Sequence, residues 1–205
     1  MAIAVHFARL DVAAEEEARL AALLDAGERA HAARFRFGRD RRRFVVRRAR
    51  ARQWLAEAAG GDPAGLRFTA NAHGKPRLAH GPHFSLSHSG ETMMLAIGDV
   101  ELGCDIEAID PAVDWEPLAR AFFAPAEVAA LAALAPEAAR TAFFTCWSRK
   151  EAFVKAIGLG LSYPLTAFTV SIGSAPAILS GGEGWKARAV EPPAGQRAAL
   201  VVKVA

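Results

Sequence analysis

Cysteine is nearly missing from this chain: Cys104 and Cys146 are the only two in 205 residues. That is too few for a disulfide framework, and their spacing fits no zinc site, so both read as reduced core thiols. Long apolar runs are missing too, and nothing approaches the unbroken stretch of about 18 to 20 residues that crosses a bilayer. The segment from Met1 to Leu10 has neither a basic n-region nor a long apolar h-region, and no export signal is visible. There is no clear internal repeat and no low-complexity linker. No Gly-x-Ser-x-Gly elbow occurs, which leaves little room for serine-hydrolase chemistry. A hydrophobic fraction of 52% argues against disorder as the main state. These features together point to a globular, cytoplasmic protein.

The net charge is only +3, but its distribution is uneven, with ten arginines falling between Arg34 and Arg52. A basic helix of that kind suits a phosphate-rich ligand, and it also suits a nucleic-acid-binding protein, a reading from a different class. Acidic residues are placed singly further on, notably Asp105, Glu107 and Glu151. His73, His80 and His83 match no zinc template and read as loop histidines.

The pattern of apolar residues predicts a strand over residues 2 to 9, a helix to about Asp25, and a helix from Gly27 to Ala59 stopped by Gly60-Gly61-Asp62-Pro63. A short strand at 66 to 69 then leads into the loop from Asn71 to Pro76. Strands at 84 to 87 and 93 to 97 flank a turn at His88-Ser89-Gly90-Glu91. A half-buried strand is expected from Glu101 to Glu107. Helices at about 115 to 121, 125 to 134 and 137 to 157 follow, with strands at 166 to 172, 185 to 190 and 197 to 203. Each half mixes helices with antiparallel strands, so the fold class is α+β with two similar-sized lobes, residues 1–100 and 101–205.

Side chains two apart in a strand point the same way, so Asp105 and Glu107 share a face. Two carboxylates that close repel unless a cation or proton lies between them, and oxygen-only ligands favour a hard ion such as Mg²⁺. Trp147, Glu151 and Lys155, four apart, form one stripe along a helix. Glu151 meeting the strand pair would give three carboxylates around one cation, with Lys155 free to complement a phosphate. Each pair taken alone also fits a bland reading: a solvated strand face for Asp105 and Glu107, an exposed ion pair for Glu151 and Lys155. The segment Ser85-Leu86-Ser87-His88-Ser89-Gly90 offers hydroxyls, an imidazole and backbone amides to phosphate oxygens, or is an ordinary hairpin turn.

Taken together these segments resemble the phosphopantetheinyl transferases of the surfactin-synthetase-activating type. The family's Gly-x-Asp-x-Glu strand stands here as Gly103-Cys104-Asp105-Ile106-Glu107, and its helix signature as Trp147-Ser148-Arg149-Lys150-Glu151-Ala152-Phe153-Val154-Lys155. Phe84 to Ser89 matches its Ser-His-Ser segment, Gly74-Lys75-Pro76 its Gly-Lys-Pro loop, and Gly158-Leu159-Gly160-Leu161 its Gly-x-Gly-Leu run. The resemblance implies two pseudo-symmetric lobes and a Mg²⁺-dependent enzyme that moves phosphopantetheine from coenzyme A to a serine of an apo acyl or peptidyl carrier protein. It further implies that Asp105, Glu107 and Glu151 bind the metal and that Glu151 is the candidate proton acceptor. Lys155 would contact the pyrophosphate, and His88 and Arg43 the 3′-phosphate, with Ser87 beside them. The main chain of His73, Gly74, Lys75 and Pro76 would receive the adenine. Where family members often carry lysines ahead of the arginine helix, this chain has Glu28 and His31. Phe122 and Phe123 are candidates for carrier docking, no nucleic-acid or membrane partner is implied, and a single chain could form the whole site as a monomer.

Overall fold

A computed structural model describes residues 2–204, and of Leu161 the backbone alone. The chain runs through the same order of elements twice. Strand β1 (Ile3–Arg9) is followed by helices α1 (Ala14–Ala21), α2 (Ala26–Ala32) and α3 (Gly38–Ala59), a hairpin β2 (Phe68–Ala70) and β3 (Pro76–Leu78), and a hairpin β4 (His83–Ser89) and β5 (Thr92–Gly98). Strand β6 (Leu102–Ala108) opens the second round. It leads to α4 (Trp115–Phe122), α5 (Pro125–Ala132) and α6 (Pro136–Ile157), the pair β7 (Thr169–Val170) and β8 (Ile178–Ser180), and the pair β9 (Trp185–Arg188) and β10 (Gln196–Lys203). In each round the last strand enters the middle of a three-stranded antiparallel sheet, ordered β1-β5-β4 and β6-β10-β9. The fold is α+β with two lobes that share one topology, although their sequences show no obvious repeat.

Side-chain alternation explains how the lobes stack. On β5, Met93, Leu95 and Ile97 face the helical layer with Val45, Val46 and Leu55, while Met94 and Ala96 face the opposite way. Those two join Leu102, Cys104, Ile106, Leu200 and Val202 in a core shared between the two sheets. On β10, Ala199 and Val201 instead join the core beneath α6. Each sheet thus has a helical layer on its outer side and the other sheet on its inner side.

Strand β6 is buried along most of its length, not half-exposed as its alternation predicts, because α6 covers its second face. The glycine of the strand motif makes this possible. A Cβ on Gly103 would lie 2.2 Å from both the Ala152 carbonyl oxygen and the Ala156 nitrogen of α6. Helix and strand meet backbone to backbone, which brings Lys155 of α6 against Asp105.

Two helix boundaries differ from expectation. The pattern from Gly27 to Ala59 is not one helix, because the chain breaks between α2 and α3. The break lets His31 and Phe35 fold onto Phe44, with ring centroids 4.7 and 5.4 Å away. The first helix stops at Ala21 because Asp25 caps α2 through a capping box with Glu28. Among the strands, β7 is shorter than expected because Leu165–Ala167 forms a 3₁₀ turn, and β3 and β8 form where loops are predicted. No helix among the described residues is long and apolar enough to cross a membrane.

Replacing Gly103 by alanine would force α6 off β6. The expected outcome is a loss of at least about 3 kcal/mol, at the upper end of overpacking costs, measured as a fall in the urea midpoint; an unchanged midpoint would contradict the backbone contact.

Candidate active site at the lobe junction

The turn joining β4 to β5 is shorter than the sequence suggests. Ser89 pairs directly with Thr92, and Gly90 at φ +56° supplies the first central position of a two-residue turn. Ser87, His88 and Ser89 therefore belong to the strand. With Ser85, the serines fall on alternate positions of β4 and point towards β6.

Along this seam side chains replace a backbone ladder. The Cys104 amide donates to Ser85 Oγ at 3.0 Å, Ser87 Oγ donates to Asp105 Oδ1 at 2.7 Å, and Ser89 Oγ donates to Glu107 Oε2 at 2.9 Å while accepting from the Ala108 amide at 3.0 Å. From the other side α6 brings Lys155, whose Nζ donates to Asp105 Oδ1 at 2.6 Å and to Ser87 Oγ at 2.9 Å. Glu151 and Lys155 do not pair with each other among the described residues; Lys155 pairs with Asp105 instead.

Asp105, Glu107, Glu151, Lys155, Ser87, His88 and Pro76 all line one cleft of about 630 Å³. Most of the residues named from the sequence are thus brought together by elements from both lobes. Arg43 is not in the lining. Its guanidinium grips Asp11 through two hydrogen bonds of 2.9 and 3.2 Å. Arg47, one turn further along α3, lines the cleft instead, and no carboxylate partner is found for it among the described residues. His31, Phe44 and Arg48 complete that wall. Glu28 lies there too, but it is buried and bonded to Arg48 and Arg52.

The loop before β3 is held by side chains as well. Asn71 Oδ1 accepts from the His73 and Lys75 amides, and its Nδ2 donates to the Gly158 carbonyl at 2.7 Å. Lys75 Nζ donates to the carbonyls of Leu102 and Ala156, both at 2.9 Å, so its side chain ties this loop to the second lobe. Burial brings the Lys75 pKa down to about 8. His73 and Gly74 stay exposed, leaving Pro76 as the residue of this loop that lines the cleft. His80 is exposed in a loop, as expected, whereas His83, also exposed, is the first residue of β4 rather than a loop histidine.

The carboxylates are under electrostatic stress. Burial pushes Glu107 up to about 7, and the charge of Asp105 adds to the shift. Burial and Asp105 raise Glu151 in the same way, and burial raises Asp105 itself, with Lys155 only partly offsetting it. For Lys155, burial works against the ammonium, but the charge of Asp105 overrules it and the pKa stands above the ordinary lysine value. Asp105 Oδ2 is buried without a hydrogen-bond partner among the described residues. As the side chains stand, no three of the described His, Cys, Asp or Glu residues are gathered tightly enough to hold a metal. An orphaned carboxylate oxygen beside two mutually repelled carboxylates is nevertheless a donor set that a hard divalent cation could satisfy.

The sequence also gave no role to Lys150, which is fully buried. It pairs with Glu127 at 2.8 Å, donates to the Leu165 and Phe168 carbonyls, and lies 4.3 Å from the Phe168 ring centroid. Glu127 in turn accepts from the Ala124 and Val170 amides. This pair fixes α6 against α5 and β7. Of the two aromatics considered for carrier docking, Phe122 is exposed and edge-on to Trp147 at 5.8 Å, whereas Phe123 is core.

A family profile described as "4′-phosphopantetheinyl transferase, N-terminal" matches residues 13–99, and one described as "4′-phosphopantetheinyl transferase superfamily" matches residues 101–194. A 4′-phosphopantetheinyl transferase of Bacillus subtilis is 37% identical over 164 residues, covering 78% of this chain and 72% of that protein. Sfp of Bacillus subtilis strain 168 is 31% identical over 160 residues, with 77% and 70% covered. HetI of a Nostoc species is 38% identical over 149 residues, with 70% of this chain and 63% of HetI covered. The chain belongs to the 4′-phosphopantetheinyl transferase family, which makes it a transferase of phosphopantetheine.

Lys150→Met should cost about 3–5 kcal/mol in urea unfolding, because it strands a buried carboxylate. Adding Glu127→Gln should recover part of the loss, and a double-mutant cycle with no coupling would contradict the pairing.

Proposed function

We propose that the protein moves 4′-phosphopantetheine from coenzyme A to a serine hydroxyl of an apo acyl or peptidyl carrier protein, releasing adenosine 3′,5′-bisphosphate. It would work in the cytoplasm as a monomer, with Mg²⁺ as its cation. The observation that carries this reading is the meeting of Asp105, Glu107, Glu151 and Lys155 in one cleft, with a buried Asp105 oxygen left unpartnered.

In this reading residues 1–100 hold the nucleotide end of coenzyme A and residues 101–205 hold the diphosphate. Asp105, Glu107 and Glu151 hold Mg²⁺, which neutralises charge on the phosphate oxygens when bound. Lys155 donates to the diphosphate and stabilises charge that builds on the leaving group. Pro76 fixes the loop that receives the adenine through the main chain of His73, Gly74 and Lys75. His88 receives the 3′-phosphate with Ser87 at its side, helped by the two arginines whose charges act on its ring, Arg47, which lines the cleft, and Arg43, which also bonds Asp11. Glu151 takes the proton from the carrier serine, directly or through water, because no hydrogen bond ties its carboxylate down among the described residues. Transfer is direct, with no covalent enzyme intermediate, so positioning of the serine supplies much of the rate. The nucleic-acid reading loses its main support, since most arginines between Arg39 and Arg52 are paired with carboxylates of the same lobe.

Incubation with coenzyme A, Mg²⁺ and an apo carrier protein, read by intact mass, should show the carrier gaining one phosphopantetheine arm. Glu151→Gln and Asp105→Ala should each lower the rate by at least about a hundredfold while circular dichroism stays that of the parent; near-parental transfer by either would sink the assignment.

His88 gives an independent test of the 3′-phosphate site. Packing around its ring, then the charges of Arg47, Lys155 and Arg43, bring its pKa down from 6.5 to about 4. The unfolded chain therefore protonates this histidine first, and the residue works against stability as pH falls from 6.5 towards 4. Phosphate at the ring would reverse the field. By NMR the His88 ring should titrate near 4 in the free protein and at higher pH with coenzyme A, but not with dephospho-coenzyme A; identical titration in all three states would remove His88 from the site.

A further inference from the structure

In the free protein the carboxylate cluster already has a counter-ion of its own. Lys155 Nζ makes a 2.6 Å contact to Asp105 Oδ1 and a 2.9 Å contact to Ser87 Oγ, which also bonds Asp105. Asp105 is 2% exposed, so this contact is little screened by solvent or salt. Among the described residues no other cation pairs with Asp105, and neither Glu107 nor Glu151 has a cationic partner within ion-pair distance. A single ammonium thus offsets a cluster whose second Asp105 oxygen is orphaned.

The metal proposed above and this ammonium draw on the same negative charge. A divalent cation arriving alone would meet Asp105 already neutralised and would be repelled by Lys155 across one carboxylate. A diphosphate changes the balance, because it gives the ammonium new oxygens to bond and adds negative charge next to the metal position. Lys155 is carried on α6 by a long flexible stem, and turning from Ser87 and Asp105 towards the cleft, which it already lines, needs no movement of the backbone.

We infer that Lys155 acts as the resting counter-ion of the metal cluster and yields Asp105 to the metal only when a diphosphate takes up its ammonium, so that metal and coenzyme A bind with strong mutual cooperativity. This rests on the metal and diphosphate roles proposed above. By linkage the coupling is reciprocal: the factor by which coenzyme A tightens the metal is the factor by which the metal tightens coenzyme A.

The test measures binding rather than turnover, with Mn²⁺ as a paramagnetic probe of the site. Wild-type protein should bind Mn²⁺ alone at least about tenfold more weakly than in saturating coenzyme A, a coupling of ordinary allosteric size. Lys155→Met should bind Mn²⁺ alone at least tenfold more tightly than wild type, with a smaller gain from coenzyme A. Ser87→Ala, which keeps the charge but removes one hold on the ammonium, should shift Mn²⁺ affinity in the same direction by less. Without any substitution, the Lys155 ammonium should give a protected ¹⁵N signal in the free protein that moves when coenzyme A and metal are added together and stays when metal is added alone. Tight Mn²⁺ binding by wild type in coenzyme A, with no gain from Lys155→Met in its absence, overturns the counter-ion role and leaves the metal site standing. Failure of wild type to bind Mn²⁺ even with coenzyme A overturns the metal site itself, and this inference with it.

Discussion

Helix α6 can touch β6 only because residue 103 has no side chain. The 2.2 Å approach that a Cβ would make to two backbone atoms of α6 leaves glycine as the residue that fits. The consequences run outward from that contact. Asp105, two residues on and facing the same way, is pressed against the helix and loses its water. Lys155, on the same helix, becomes its partner. The strand motif and the helix motif are about 40 residues apart in sequence and act as one object, with the glycine as much a part of it as the charged groups. Lys150 and Glu127 hold the helix from behind, so its position is fixed on two sides by interactions of different kinds.

In the first lobe most of the arginine run is paired with the lobe's own carboxylates. Arg52 is fully buried and bonds Asp25, Glu28 and the carbonyls of Pro63 and Leu66, and Arg50 pairs with Glu16. Arg41 and Arg42 share Glu17. These bonds fasten two short helices, too short to be stable alone, to the long one behind them. A composition that looks like a surface for polyanions is in large part the lobe's own scaffolding. Arg47 differs in facing the cleft without a carboxylate partner among the described residues.

Much of this was legible beforehand, for reasons that can be stated. Long helices with clear stops were readable: α3 ends at Gly60 and α6 starts at Pro136 and ends at Gly158, each glycine left-handed. The carboxylates were readable because their spacing fixes their direction. The break after Ala32 was not, since alanine and arginine favour helix on both sides of it and what bends the chain is the packing of Phe35 on Phe44. The composition of His88-Ser89-Gly90-Glu91 suits a turn throughout, so it does not reveal that the β4–β5 turn begins only at Gly90. The alternate serines at 85, 87 and 89 carried the right signal, a period of two. Arg43 and Arg47 could not be told apart by sequence, because only the folded lobe shows that Asp11 reaches the first and not the second.

The contact between β4 and β6 gives the molecule a property of its own. Peptide hydrogen bonds in a sheet are indifferent to which residues supply them, and evolution cannot easily edit them. Here the two halves are stitched by hydroxyls and a lysine, each encoded by a single codon. The fit between the lobes, and with it the shape of the cleft between them, is therefore heritable and adjustable one residue at a time while both sheets stay intact.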